Sequence, residues 1–129
     1  MDKRISDHDA VAHLMQLYID GSAGDTAKLV EAFHPEARMF GQFGTVARAV
    51  PIQSFIDRVA KASPPLAGPN YQARVASIDL VGEAGVATLV EQDYSGKNFV
   101  DWFSVAKLEG RWWIVNKTYV VTGDAPTAS

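Results

Sequence analysis

Apolar residues recur with a helical spacing in the first half of this chain and with a spacing of two from Tyr71 onward. Val11, Leu14, Met15 and Tyr18 share one face of a helix predicted over Ser6 to Ile19. Ser6 or Asp7 can cap it, and Asp9 sits in the first turn, where the helix dipole favours a carboxylate. Gly21-Ser22-Ala23-Gly24 is expected to break that helix. A second helix, starting at Asp25 or Thr26, is expected to bury Leu29, Val30 and Phe33. It ends at His34-Pro35, because the residue before a proline avoids helical angles. His34 is expected to cap that end. Arg38 to Phe43 reads as a short strand. Pro51 suits the first position of a third helix that carries Ile52, Phe55, Ile56 and Val59. The proline-rich stretch from Ser63 to Asn70 reads as a loop without regular structure.

Four alternating runs then follow: Gln72 to Val81, Val86 to Tyr94, Phe99 to Leu108 and Arg111 to Val121. They are separated by Gly82-Glu83-Ala84-Gly85, Ser95-Gly96 and Glu109-Gly110, which predicts three consecutive hairpins. Helices first and a meander afterwards define an α+β fold: three N-terminal helices packed in the concave face of a curved antiparallel sheet, a cone or cystatin-like roll. Residues 1–123 are expected to form one domain and residues 124–129 a flexible tail. The last strands carry apolar residues on both faces, Phe103 and Val105 on one, Trp102 and Ala106 on the other. Helices cover only one face of such a sheet, so a homodimer through the outer sheet face is expected.

Composition narrows the function. The chain has 129 residues, 47% hydrophobic and 21% charged, with a net charge of −3, an ordinary balance for one globular domain. Lys and Arg are scattered, with Lys3-Arg4 as the one basic pair, so no nucleic-acid footprint is expected. No apolar run is long enough for a membrane span, and the N-terminus lacks the apolar core of a signal peptide. A cytoplasmic protein without membrane association is the expectation. The absence of Cys removes disulfides, thiolate nucleophiles and thiolate-bound zinc. His8 and His13 lie five apart, off the spacing that lets two helical histidines share a metal, so no metal and no cofactor are expected. No glycine-rich phosphate loop and no nucleophile elbow occurs.

The segments Tyr18-Ile19-Asp20-Gly21, Phe33-His34-Pro35-Glu36-Ala37-Arg38, Val100-Asp101-Trp102-Phe103 and Gly110-Arg111-Trp112-Trp113-Ile114-Val115-Asn116-Lys117 carry a resemblance. The chain resembles the nuclear transport factor 2-like superfamily, the cone fold that also holds ketosteroid isomerase, aldol-type polyketide cyclases and scytalone dehydratase. It looks most like the subfamily labelled putative lumazine-binding. In ketosteroid isomerase a helix-one Tyr and a protonated Asp on a late strand form an oxyanion hole. The resemblance places Tyr18 and Asp101 at those positions, as candidate catalytic residues that polarise a substrate carbonyl. It also places the isomerase's general base at Gly41, and no carboxylate occurs from Ala37 to Ala49. A small-molecule-binding protein with an apolar pocket is therefore the first expectation. A carbonyl-polarising lyase, isomerase or cyclase is the alternative.

The partner implied is a small apolar or aromatic molecule, and the expected pocket residues are Tyr18, Phe33, Met39, Phe55, Asp101, Phe103, Trp112 and Asn116. The last hairpin decides some of these. A two-residue Glu109-Gly110 turn sets Asp101 opposite Thr118, points Asn116 inward and turns Lys117 out beside Trp102. A bulged turn instead sets Asp101 opposite Lys117 as a structural ion pair. The first register is preferred, because it keeps Trp112 and Ile114 on the face of Phe103 and Val105.

Overall fold

A computed structural model describes residues 3–126. Three helices, α1 (Lys3–Ser22), α2 (Thr26–Ala32) and α3 (Ile52–Lys61), pack on one six-stranded sheet. Its strands are β1 (Phe33–Phe43), β2 (Val46–Pro51), β3 (Ala67–Val81), β4 (Ala84–Tyr94), β5 (Lys97–Leu108) and β6 (Arg111–Asp124), in the order β2-β1-β6-β5-β4-β3. The expected α+β cone is the observed architecture. One pair departs from the antiparallel rule, since β1 runs parallel to β6. Among the described residues, no helix is long and apolar enough to cross a membrane.

Several local expectations are corrected. α1 runs through Gly21, because the missing side chain makes room: a Cβ there would sit 2.6 Å from Leu29 Cγ. Asp7 is no cap. It lies inside α1 and is buried, accepting hydrogen bonds from Trp112 Nε1 at 2.9 Å and Lys107 Nζ at 3.3 Å. That contact ties the start of α1 to the end of the β5–β6 hairpin. α2 stops at Ala32, so Phe33 is buried as the first residue of β1, and Val30 faces solvent. His34 does not cap α2. Its Nδ1 accepts the Glu36 amide at 3.0 Å and its ring meets Trp113 edge-on. β2 was not foreseen, and β3 begins at Ala67, inside the stretch read as loop. The β6 strand reaches Asp124, whose carboxylate pairs with Lys97, and the Ala125 amide donates to the Gly96 carbonyl. The expected tail is thus tied down at its start, and residues 127–129 lie outside the described residues.

The β5–β6 hairpin shows why the pocket differs from expectation. Glu109 and Gly110 both have positive φ, 51° and 80°, and Leu108 pairs with Arg111, which is the two-residue turn preferred above. The pairing then shifts by one. Val105 faces Ile114, but Ser104 faces Asn116, leaving Val115 as the extra residue of a β-bulge. Because side chains alternate faces along a strand, one extra residue exchanges inside for outside. Asp101 ends up opposite Tyr119, and Phe103 opposite Lys117. Lys117 therefore turns into the cone, where it is buried, and Asn116 turns out against Thr118 Oγ1 at 3.2 Å. Neither register considered from the sequence is the observed one beyond the bulge.

Candidate functional site

The concave face holds a solid apolar half and an open cleft. In the solid half, Tyr18 is the hub. Its ring stacks on Phe55 with centroids 6.1 Å apart, and meets Phe103 at 4.6 Å and Phe33 at 6.0 Å edge-on. Phe33 and Phe103 are core residues there, and Trp112 closes the far end through Asp7. These three, with Asn116 on the outer face, do not line the cleft.

The cleft lies between α3, β2 and the inner faces of β4, β5 and β6. It holds about 580 Å³ of empty space counted to its open mouth. That suffices for several waters or a small ring. Met39, Phe55 and Asp101 line it, with Phe43, Tyr94, Phe99 and Tyr119 as further aromatic wall. Phe99 and Tyr119 meet edge-on at 5.9 Å. The ring of Tyr119 also explains Gly41: a Cβ at that position would sit 2.6 Å from the ring atoms. The place where the resemblance puts a general base is filled by a tyrosine ring.

Three charged residues sit together on the floor. Asp101 on β5, Glu91 on β4 and Lys117 on β6 are each buried and each line the cleft. Glu91 accepts a 2.6 Å hydrogen bond from Tyr71. Lys117 has no carboxylate within ion-pair distance among the described residues. Its ammonium lies over Phe55, 4.1 Å from the ring centroid, with Tyr18 and Tyr119 at 5.1 and 5.5 Å. The expected alternative of an Asp101–Lys117 ion pair is not formed. Both Asp101 oxygens are buried without a hydrogen-bond partner, and so is the Tyr18 hydroxyl. The two groups lie near enough to act on each other but outside hydrogen-bond geometry. Burial is the main force on the Asp101 carboxyl. With the negative charge of Glu91 it raises the pKa well above the ordinary value, and Lys117 opposes the shift. The Tyr18 hydroxyl is raised too, by burial first and then by Glu91 and Asp101. Tyr18 itself stands behind the cleft wall, not on it.

The mouth is cationic. Arg48 of β2 and Arg58 of α3 line it, both within electrostatic reach of the Tyr119 hydroxyl. Glu91, Arg48 and Arg58 give no reading in the sequence analysis, and Lys117 enters there only as an ion-pair partner of Asp101. Glu91 had a signal: Ala87 and Leu89 point inward, and a spacing of two carries the series to it.

A helix-lined cone with a part-polar cleft is the architecture of the nuclear transport factor 2-like superfamily. The profile of one family in it, described as "Putative lumazine-binding", matches residues 6–120, and the chain belongs to that family. Among solved structures, an NTF2-like protein of unknown function from Shewanella baltica OS155 is 29% identical with a TM-score of 0.83, over 98% of this chain and 100% of that one. Another from Methylobacillus flagellatus KT is 28% identical, TM-score 0.81, over 92% and 94%. A domain with a cystatin-like fold from Nostoc punctiforme PCC 73102 shares the fold at 14% identity and TM-score 0.70, over 89% and 76%. No curated protein matches the chain.

Proposed function

We propose that the protein binds a small, flat, partly polar molecule in this cleft. The observation that carries the reading is the Asp101 carboxyl, buried in the cleft wall beside Glu91 with no group donating to either oxygen. Buried polar groups in folded proteins are nearly always hydrogen-bonded, so an orphan on a cavity wall wants a ligand partner. The aromatic rings that line the cleft give a flat molecule its contact area. The family's description names lumazine, a flat heterocycle with hydrogen-bonding edges, which is the shape and polarity the cleft favours. Titration of lumazine into 15N-labelled protein tests this. Amide shifts are expected around Asp101, Lys117 and Tyr119, with affinity reduced at least about tenfold in Asp101→Leu. Shifts elsewhere, or none, overturn the reading.

A carbonyl-polarising activity is the second reading, favoured by the raised pKa of Asp101 beside the Tyr18 hydroxyl. Glu91 is the nearby carboxylate to accept a proton, since Gly41 carries none. Deuterium exchange at the carbon next to the carbonyl of 2-tetralone, followed by NMR, tests it: exchange lost in both Asp101→Asn and Glu91→Gln supports it, and no exchange by the native protein ends it.

We also propose a homodimer through the outer sheet face. Val86, Val90, Trp102 and Val120 lie exposed on that face of β4, β5 and β6. Sedimentation velocity is expected to show a dimer that Trp102→Asp converts to monomer. A native monomer rejects this.

A further inference from the structure

Resting on the ligand-binding reading, we infer that the molecule taken by the cleft is an aromatic anion, its ring between the aromatic walls and its carboxylate held at the mouth by Arg48 and Arg58. Five charged side chains line the cleft, three cations against two carboxylates, in a chain whose overall charge is −3. The cleft thus opposes the sign of the molecule around it. Its cations are also arranged by depth. Lys117 lies buried on the floor beside Glu91 and Asp101, whereas Arg48 and Arg58 stand at the entrance, on two different elements.

Among the described residues, the two arginines lack the protein partners that Arg38 and Arg111 have. Arg38 donates to the Ala49 carbonyl, and Arg111 donates to the Glu31 carbonyl and lies over the Trp113 ring at 3.5 Å. Arg48 and Arg58 make no hydrogen bond or ion pair among the described residues. Guanidinium groups are planar, permanently charged and matched to carboxylates in a two-pronged fork. Two of them, one on a strand and one on a helix, line the same mouth and act on one tyrosine hydroxyl. The floor asks for something different. Lys117 there already faces the Glu91 and Asp101 carboxyls, whereas Arg48 and Arg58 have no acidic partner among the described residues, so the charged end is directed outward and a hydrogen-bonding end inward, toward Asp101. A neutral flat molecule satisfies the floor and the walls but leaves the mouth unused.

The matched pair 6-hydroxy-2-naphthoate and 6-hydroxy-2-naphthamide tests this, with binding followed by calorimetry on the full chain. The naphthoate is expected to bind at least about tenfold more tightly than the amide, and its affinity should weaken as salt is raised. Arg48→Gln and Arg58→Gln are each expected to cost the naphthoate about tenfold while leaving the amide unchanged. Neither arginine is in the core, and unchanged melting temperatures check that the variants fold. Equal binding of acid and amide, or no loss in either variant, overturns the inference and leaves the binding reading in place. No binding by either compound overturns both.

Discussion

Two aspartates are buried at opposite ends of the same cone, and they have opposite fates. Asp7 sits where α1 meets the β5–β6 hairpin, with Trp112 and Lys107 both donating to it, and its pKa is lowered, mainly by the Trp112 hydrogen bond. Asp101 sits on the cleft wall with no donor, and burial raises its pKa. A carboxylate that the fold supplies with donors is part of the scaffold, because removing its partners leaves a charge stranded. A carboxyl left unsatisfied weakens the scaffold and persists where something else needs it. The difference teaches that burial alone does not mark a site. Burial without partners, on the wall of an open space, does.

Truncating the satisfied end is expected to have the largest effect. Trp112→Ala removes a core ring together with the donor to Asp7, and should cost about 3–5 kcal/mol in urea unfolding. A loss under about 1 kcal/mol would show that this end is not the structural one. Next, Gly41→Ala drives a methyl group into the Tyr119 ring on the cleft wall and should cost about 1–3 kcal/mol. A neutral result would mean that the ring yields and the cleft wall is soft. Asp101→Leu should go the other way. Replacing the unpartnered carboxyl should stabilise the fold by about 1 kcal/mol at neutral pH. Destabilisation instead would place Asp101 with Asp7, as scaffold.

The smallest effect is in the pH dependence, and there the two aspartates have opposite signs. The contribution of Asp7, whose folded pKa is depressed below 3.8, is present above that value and lost as pH falls through the folded pKa. That of Asp101, raised above 3.8, is complete below that value and lost as pH rises through the folded pKa. Thermal melts of Asp7→Asn should therefore approach the native protein's as pH falls, and those of Asp101→Asn should gain on it as pH rises. Parallel curves for both would remove the distinction.

Much of the scaffold was legible because it repeats. Val11, Leu14, Met15 and Tyr18 at helical spacing, Ile52, Phe55, Ile56 and Val59 after Pro51, and four runs of alternating residues each give several mutually consistent signals. β2 was not legible. Val46 to Val50 holds two alanines and an arginine among valines, and only its pairing with β1 makes it a strand. The site was half legible. Asp101 follows from alternation with Phe99 and Phe103. Arg48 and Arg58 give no local sign of facing one mouth, because they belong to β2 and α3, which only the tertiary fold brings together. Asn116 and Lys117 were placed on the wrong faces, since a bulge without glycine leaves no trace in the residues that form it.

The unpaired residue at Val115 acts as a frame change for the stretch from Asn116 to Val121, where a second shift follows. Upstream, the strand presents tryptophan and isoleucine to the interior; downstream, it presents a lysine and a tyrosine. Were Val115 to take a place in the ladder instead of bulging, the letters that follow would be read inside out, with the Asn116 amide where the ammonium now stands.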